Sequence, residues 1–441
     1  ELPLTLTETG SAIIVTASRV LGAGTKASGP TTVLTAEDIA KVASVNRDIR
    51  DLMRRDPFAR LDYAEGSGRA VSFAGQNARF NRFTIDGVPV TDNFGLNPDG
   101  LPTRRSPVPL DAIAQFQTRV APYDVREGNF QGGTINAIMK SGTNEFHGTG
   151  FYAYSSDELT GKKTKAGPGV PTGRVTLPNF KYENYGAELS GPIIKDRLFF
   201  MVAGERVRAG TPIAEGTPGN NAGTVIPLIT DAQVEQIQNI AQSNYGYDTG
   251  GVLNNSDDRD DRLVAKIDAN LSDTQRASLT YMYTKDSIQF NQNTFTTGTP
   301  GLGLASNGYK SSNRLHTGVF QLNSDWSDNF STEVRAFYKD YKRGQDPVMG
   351  RGFAQFQVCT APTSDRLNPG SAGAGASTAC QPGYGVVSFG PDAPAKGHYG
   401  LIQHDGEIPL ADLVEGRPRL QRLGVKAGIG ADARRGAVIG R

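Results

Sequence analysis

The 441-residue sequence predicts an N-terminal α/β domain followed by the first strands of an antiparallel transmembrane β-barrel that is incomplete. Three observations support this prediction. A compact mixture of helical and strand-like segments comes first. Paired strands with apolar residues at every second position follow it. Short turns then alternate with long connections, which is typical of the two ends of an outer-membrane barrel.

The composition excludes several classes of protein. Lys and Arg number 46 and Asp and Glu number 45, so no excess of either charge points to nucleic acid. The mean hydropathy is −0.39. No run of about 18 apolar residues occurs, which excludes a protein that crosses a membrane with helices. A barrel remains compatible because its strands need an apolar residue only at every second position.

The first 29 residues predict a flexible tether. They are small and polar apart from one apolar cluster, AIIVTASR at 12–19. This cluster predicts a short extended segment, and the surrounding Gly, Ala and Ser residues predict flexibility.

Residues 30–144 predict a compact α/β domain. Thr35 has the position of a helix N-cap, and Asp38 three residues later completes the pattern of a capping box. A helical spacing of apolar residues continues from there as far as Pro57. Strand-like segments are expected at 69–74, 81–86, 112–120 and 133–139.

From about residue 145 the pattern changes to hairpins whose strands have two different faces. In RLVAKIDANL, residues 262–271, one face carries Leu263, Ala265, Ile267, Ala269 and Leu271, and the other carries Lys266, Asp268 and Asn270. Short reversals such as LSDT at 271–274 join the strands at one end. Long connections at 156–179, 209–258, 286–313 and 344–400 join them at the other end.

A soluble β-sandwich or a lipocalin-like barrel shares this alternation. Long strands, one-sided long connections and charges opposite the apolar face favour the membrane barrel. Aromatic residues near strand ends, such as Tyr281, Trp326 and Tyr338, are also typical of the girdle at a membrane interface.

Three motifs resemble a known family. AIAQFQTRVAPYDVREGNFQGGTINAIMK, residues 112–140, resembles the end of the plug domain in TonB-dependent outer-membrane receptors. FTIDGVPV, residues 83–90, is similar to a strand and turn of the same plug, with Asp86-Gly87 as a dipeptide that closes a hairpin. ELSGPIIKDRLFF, residues 188–200, looks like the first barrel hairpin of the Oar-like subgroup.

The resemblance implies a receptor or transporter of the cell outer membrane that needs no cofactor. In this family a ligand binds outside, TonB captures an extended segment by strand addition, and inner-membrane energy rearranges the plug. The implied partners are TonB, outer-membrane lipid and an extracellular ligand of unknown identity, without nucleic acid. A surface adhesin or ligand-binding outer-membrane β-protein without transport is the alternative.

The resemblance also assigns candidate site residues. The TonB-pairing strand is expected at Ile13, Ile14, Val15, Thr16 and Ala17, with an ordinary first plug strand as the alternative. Ligand contacts are expected in two apical loops at Arg69, Asp92, Asn93, Phe94, Asn97 and Asp99. A structural role in turn geometry and close packing against the barrel wall is expected for Asp86, Gly87, Pro89, Gly132 and Gly133.

No group of residues predicts an enzyme. The four histidines, His147, His316, His398 and His404, stand apart, and no hydrolase or nucleotide-binding motif accompanies them. The run DDRDD at 257–261 suits either a calcium site or, as the simpler interpretation, a solvated run of charge. The prediction is therefore a non-enzyme without a metal.

The two cysteines, Cys359 and Cys380, lie in a polar stretch rich in Gly and Ala. They predict a disulfide that closes a loop of about 20 residues and contributes roughly 3 kcal/mol in an oxidising compartment. Two unrelated free thiols are the alternative.

The last residues do not resemble a barrel. In 401–441 the alternation fades and the chain ends in Arg rather than an aromatic residue. Only about seven or eight strands precede residue 345, so the sequence predicts a truncated or frame-shifted chain. The predicted units are a tether at 1–29, a plug at 30–144, barrel strands at 145–345, an extracellular loop at 346–400 and an atypical tail at 401–441.

Overall fold

The computed structural model describes residues 30–44, 46–62, 69–92, 97–120, 132–167, 170–175, 177, 179–213, 215–220, 224–327, 330–350, 355–360 and 383–391. For residues 401–404 and 424–431 it describes the backbone alone. The predicted TonB-pairing segment, Asn93, Phe94 and Cys380 lie outside the described residues.

The described residues form twenty-one strands and three α-helices. In chain order these are β1 (Thr31–Thr35), α1 (Ala36–Lys41), α2 (Ile49–Met53), β2 (Ala59–Leu61), β3 (Val71–Phe73), β4 (Arg82–Ile85), β5 (Val88–Pro89), β6 (Ile113–Val120), β7 (Gly133–Met139), β8 (His147–Ser156), β9 (Lys181–Ile194), β10 (Leu198–Pro212), β11 (Glu215–Gly216), β12 (Thr224–Val225), α3 (Asp231–Tyr245), β13 (Asn255–Ser272), β14 (Gln275–Phe290), β15 (Gly301–Gly303), β16 (Tyr309–Ser327), β17 (Phe330–Pro347), β18 (Phe356–Cys359), β19 (Val386–Phe389), β20 (Leu401–His404) and β21 (Gly424–Ala431).

The N-terminal domain, called the plug below, is built on a mixed five-stranded sheet. Its strand order is β1-β6-β7-β4-β5, with β4 and β7 parallel and the other neighbours antiparallel. The core includes Ile49, Leu52, Phe83, Phe116 and Ile135, all at most 2% exposed. The four strand-like segments predicted from the sequence, at 69–74, 81–86, 112–120 and 133–139, coincide with β3, β4, β6 and β7.

The hairpin at Asp86-Gly87 forms as the dipeptide predicts. Ile85 pairs with Val88, so the turn has two central residues. Their φ angles are +46° for Asp86 and +76° for Gly87. Positive φ at both positions defines a type I′ turn, whose twist matches that of the flanking strands.

The first helix confirms the predicted capping box, whereas the long helical spacing is interrupted. Thr35 N donates to Asp38 Oδ2 at 2.9 Å, and Asp38 N donates to Thr35 Oγ1 at 3.2 Å. The chain then leaves the helix at Val42 and starts α2 after Asp48. Ser44 Oγ accepts a hydrogen bond from Asp48 N at 2.9 Å, a local bond that competes with a continuous helix.

The second domain is one large antiparallel sheet, called the barrel sheet below. Its order is β20-β17-β16-β14-β13-β10-β9-β8, and β21 pairs with β17 as well. The strands β20 and β21 come from residues 401–441 and pair with β17, although this tail does not resemble barrel strands in sequence. An edge strand accepts a new strand through its backbone groups, whatever the side-chain pattern of the newcomer.

Side-chain exposure in the barrel sheet is inverted relative to a soluble protein. On β13 the apolar residues Leu263 and Ile267 are 38% and 43% exposed. The polar residues Arg262, Lys266 and Asp268 of the same strand face inward and are at most 6% exposed. A soluble sandwich buries its apolar face, so this inversion favours the membrane barrel over that alternative.

The long connections also have internal structure that the sequence did not reveal. Segments from three connections contribute β11, β12, α3, β15, β18 and β19 to one small cap at the same end of the barrel sheet. Their shared apolar core contains Ile226, Val234, Leu302, Val387 and Phe389, all at most 4% exposed. Among the described residues, no helix is long and apolar enough to cross a membrane.

We expect Gly133→Ala to destabilise the plug by about 1–3 kcal/mol, because a Cβ there lies 2.6 Å from the ring of buried Phe73. Gly318→Ala is the matched control. It also changes a strand glycine, but its Cβ meets no atom within 4 Å. Urea unfolding monitored by hydrogen exchange of the plug amides measures both, and equal effects of the two variants would contradict the packing argument.

Candidate functional site between the plug and the barrel sheet

The plug contacts the inward face of the barrel sheet through a loop, residues 97–107, called the apical loop below. Arg104 Nη2 lies 2.5 Å from Asp258 Oδ1, and Arg105 Nη2 lies 2.8 Å from Asp258 Oδ2. Both arginines therefore share one carboxylate on β13, which is 3% exposed. Burial by itself would lower the pKa of Arg105. The nearby Asp258 carboxylate outweighs this effect and raises the pKa above its usual value, so the guanidinium stays charged.

Three further hydrogen bonds reinforce this attachment. Arg104 N donates to Asp286 Oδ2 on β14 at 3.0 Å. Thr284 Oγ1 donates to Pro107 O at 2.5 Å. Arg343 Nη1 on β17 donates to Asn97 Oδ1 at 2.6 Å. The apical loop is thus held by strands β13, β14 and β17, which span much of the sheet.

In the structure the DDRDD run at 257–261 forms neither a calcium site nor a fully solvated run of charge. Alternation in β13 sends Asp258 and Asp260 inward, where they are at most 2% exposed. Asp257 and Asp261 face outward and pair with Arg259 and Arg206. The carboxylates therefore diverge and cannot converge on one calcium ion. Among the residues that the structure describes, no three His, Cys, Asp or Glu side chains form a metal site.

A second group of charges lies deeper along the same wall. Arg262 Nε donates to Asp260 Oδ1 at 2.6 Å, and its Nη1 lies 3.5 Å from Glu205 Oε1. On the plug side, Arg47 lies 2.6 Å from Asp111 and 4.0 Å from Glu205. The Arg47 guanidinium also stacks over the Phe151 ring at 3.8 Å. Charged residues from both domains therefore meet at this level.

The hairpin turn of the plug contacts the wall nearer the short turns. Asp86 Oδ1 accepts a hydrogen bond from Met139 N at 2.9 Å, and Asp86 Oδ2 lies 3.6 Å from Lys266 Nζ. A Cβ on Gly87 would overlap the guanidinium of Arg335 on β17. Gly87 therefore approaches the barrel wall closely.

The expectation of wall contact does not hold for the Gly-Gly pair. A Cβ on Gly132 would overlap the side chain of Asn81, and one on Gly133 would meet Phe73. Both neighbours belong to the plug, so this glycine pair permits packing within the plug. Pro89 lies in the short strand β5, beside Thr84.

Three of the predicted ligand-binding residues are buried within the plug. Asp92 Oδ2 accepts a hydrogen bond from Asn97 N at 2.8 Å, and Asn97 Nδ2 donates to Leu101 O at 2.7 Å. Asp99 pairs with the buried Arg50. All three side chains are at most 8% exposed, so they fix the shape of the apical loop. Contact with a ligand stays a prediction for them.

Arg50 is the centre of a buried ion cluster that the sequence did not reveal. It pairs with Asp48 at 2.6 Å and with Asp99, and its Nη2 donates to Arg104 O at 2.8 Å. Burial raises the pKa of the Asp99 carboxyl against the opposing effect of Arg50. Burial would also raise that of Asp48, but Arg50 holds the Asp48 pKa below its usual value.

The remaining predicted residues have mixed outcomes. Arg69 lies beside the plug surface, and its Nη2 pairs with Asp51 Oδ1 at 2.7 Å. Cys359, at the end of β18, is disulfide-bonded, and the sequence contains one other cysteine, Cys380. Because Cys380 lies outside the described residues, the predicted pairing stays a prediction, as do the roles of Asn93, Phe94 and 13–17.

The interface is mainly polar, with a small apolar contribution. Met201, Ala203, Val264, Met282 and Val319 of the barrel sheet join the plug core. Around them, atoms such as Asp260 Oδ2 and Glu205 Oε2 are buried without a protein hydrogen-bond partner. Water can satisfy such groups when two domains separate, so this interface can open at a lower cost than an apolar core.

Comparisons with known protein families cover most of the chain. Residues 138–405 match the family described as the outer membrane beta barrel domain. Residues 24–134 match the TonB-dependent receptor plug domain. These ranges agree with the structure, in which the last plug strand ends at Met139 and the first strand of the barrel sheet begins at His147.

Two curated relatives are similar in sequence. The TonB-dependent transporter Oar of Myxococcus xanthus is 33% identical over 141 residues, which cover 31% of this chain and 12% of that protein. The probable TonB-dependent siderophore receptor PirA of Acinetobacter baumannii is 29% identical over 183 residues, which cover 39% of this chain and 22% of that protein. The chain thus spans less than a quarter of these relatives.

Solved structures share the fold at low sequence identity. The outer membrane transporter YddB from Escherichia coli superposes with a TM-score of 0.51 at 16% identity, covering 72% of this chain and 39% of that one. A ferric enterobactin receptor from Pseudomonas aeruginosa gives a TM-score of 0.50 at 16% identity, covering 86% and 46%.

Proposed function

We propose, from the premise that this chain belongs to the TonB-dependent receptors of the cell outer membrane, that it takes part in importing an extracellular ligand. The ligand would bind above the plug, and TonB would supply the energy that moves the plug. The single observation that supports this proposal best is the ionic attachment of the apical loop to the barrel sheet through Asp258.

The attachment links the ligand side of the plug to the wall. Arg104 and Arg105 contact Asp258, and the carbonyl oxygen of Arg104 also accepts a hydrogen bond from Arg50. A ligand that displaces the apical loop must therefore disturb the Arg50 cluster and the wall contacts together. This coupling gives a physical route by which binding outside changes the plug.

The polar interface suits the second step, in which the plug rearranges. Few apolar side chains of the wall join the plug core, so partial withdrawal exposes mostly charged and hydrogen-bonding groups. Asp86 and Lys266, at 3.6 Å, hold the plug nearer the short turns.

The class of ligand is a separate part of the proposal. One curated relative is named a siderophore receptor, so a ferric siderophore is the first class to test. The match covers 22% of that relative. Enzymatic chemistry is not proposed, because relatives of this family are named transporters and receptors.

We expect the full chain to co-purify with the C-terminal domain of TonB, and Val15→Pro to abolish capture. Proline removes a backbone N–H that strand addition requires. Ala23→Pro, in the Gly-rich part of the tether, is the control and should leave capture unchanged. If both variants bound TonB, residues 13–17 would be an ordinary first plug strand instead. If the unmodified chain did not capture TonB, the adhesin alternative would be favoured.

A further inference from the structure

Three cations stand side by side on the outward face of the barrel sheet. Lys285 on β14 lies directly opposite Arg314 on β16. Arg314 lies directly opposite Lys342 on β17. We call these three residues the cation row. Their neighbours in sequence, such as Thr284 and Leu315, are buried on the inward face, where Thr284 Oγ1 donates to Pro107 O of the plug, so the cation row faces outward.

The arrangement is unfavourable without a further partner. Adjacent strands lie about 4.8 Å apart, and like charges directly opposite each other destabilise a sheet. Among the described residues, Lys285 and Arg314 form no ion pair. Lys342 Nζ lies 3.8 Å from Asp340 Oδ2, a weak contact that leaves its charge only partly compensated. An anion of external origin would remove the repulsion.

On the neighbouring strands β13 and β10 the same transverse row contains a carboxylate as well as a cation. Asp261 on β13 lies opposite Lys285, and Arg206 on β10 lies opposite Asp261. Asp261 is already engaged, because Arg206 Nε and Arg208 Nη2 contact it at 2.6 and 2.9 Å. The excess positive charge is therefore concentrated on β14, β16 and β17.

The height of the cation row places it at a membrane boundary. Gln275 begins β14 and Lys285 lies ten residues further on. At about 3.3 Å per residue and a tilt near 45°, this corresponds to roughly 25 Å, the height of the apolar band of an outer-membrane barrel. Trp326, 59% exposed, marks the opposite end of the outward face, beside the short turns.

The residues between the cation row and the short turns are of the types found at a membrane–water interface. Tyr281 and Tyr283 face outward, and the Tyr281 hydroxyl is hydrogen-bonded to His316 Nδ1 at 2.8 Å. Leu279 and Phe320 follow toward the short turns and are 53% and 41% exposed. Tyrosine side chains are typical of the headgroup level, and the aliphatic and phenyl groups of Leu279 and Phe320 suit acyl chains.

We propose that the cation row binds the phosphate groups of a phosphorylated lipid headgroup in the leaflet on the side of the long connections. The Arg314 guanidinium can bind a phosphate through two parallel hydrogen bonds, and the two ammonium groups flank it as point charges. The acyl chains would then lie over Leu279 and Phe320. This site is on the opposite face of the sheet from the plug and does not depend on transport.

The test uses the full chain purified in a neutral detergent and immobilised through an affinity tag. Mixed micelles that contain bis-phosphorylated lipid A are passed over it, and retained lipid is quantified. We expect saturable retention that falls roughly a hundredfold in affinity in the triple variant Lys285→Gln/Arg314→Gln/Lys342→Gln. About fivefold is expected for each cation near an anionic headgroup.

The matched control is Lys162→Gln/Lys163→Gln/Lys165→Gln. These exposed lysines lie in the connection after β8, so the control removes the same charge at the same end of the molecule. It should retain lipid A like the unmodified chain. Lys285→Arg/Lys342→Arg keeps the charge and should also retain it, which separates loss of binding from a folding defect.

Several outcomes would overturn the proposal. Equal losses in both triple variants would show that only general charge matters. Full retention by the Lys285 triple variant would show that the cation row is not the site. Equal retention of dephosphorylated lipid A, or displacement by inorganic phosphate at matched phosphate concentration, would exclude recognition of a phosphorylated lipid headgroup.

Discussion

The Arg50→Met variant is expected to lose about 3–5 kcal/mol of plug stability, because it leaves two buried carboxylates without their cation. Arg50 is 3% exposed and contacts both Asp48 and Asp99. Methionine preserves much of the side-chain volume, so the loss reports the charge rather than a cavity. Urea unfolding of the full chain, followed by hydrogen exchange of plug amides, measures it.

The pH dependence of this variant provides an internal check. In the unmodified chain the pKa of Asp48 is lowered, so its contribution is present above the unfolded pKa near 4 and is lost as the pH falls through the folded value. In Arg50→Met the carboxylates can protonate instead. The stability difference between the two chains should therefore shrink below about pH 4.

The control for Arg50 is Arg79→Met, which removes an exposed arginine from the same domain. Its effect should stay within about 0.5 kcal/mol. A similar loss in both variants, or a difference from the unmodified chain that does not depend on pH, would contradict the assigned role of the buried cluster.

The second large effect is expected for Asp258→Ala, which removes the carboxylate shared by Arg104 and Arg105. Asp258 is almost fully buried, and its loss leaves two guanidinium groups facing the wall without a partner. We expect the apical loop to open more easily by about 2–3 kcal/mol. Hydrogen exchange at Arg104 N, which donates to Asp286, should then speed up roughly 30- to 150-fold.

Asp257→Ala is a closely matched control for this change. The residue is adjacent in sequence, carries the same charge and faces outward with a 41% exposed side chain. Its removal should leave exchange at Arg104 N unchanged. If both variants opened the apical loop equally, the inward direction of Asp258 would not be the cause. If neither did, the loop would be held mainly by its other contacts.

Local rules in the sequence predict the individual elements well. The capping box at Thr35 and the Asp86-Gly87 turn depend on neighbouring residues, and both form as expected. The two faces of β13 also follow directly from alternation. The interruption between α1 and α2 was missed, because it depends on the Ser44 and Asp48 side chains, which bind Asp51 and Arg50 of the second helix.

The functional partners were harder to predict. Arg50 and Asp99 are 49 residues apart, and Arg105 and Asp258 are 153 residues apart. Nothing in either local pattern shows that these charges meet. The alternation of β13 predicts that Asp258 and Lys266 face inward. It does not predict which residues of the plug they contact.

The sequence by itself determined the family, the order of plug and barrel strands, and the face on which each strand residue lies. These properties follow from periodicity and short motifs, which act over a few residues. Only the tertiary structure decided that DDRDD divides between the plug and the outer surface, that Asp92, Asn97 and Asp99 are buried, and that Lys285, Arg314 and Lys342 align. Strand register and domain contact set these distances, and both arise from packing between residues far apart in the chain.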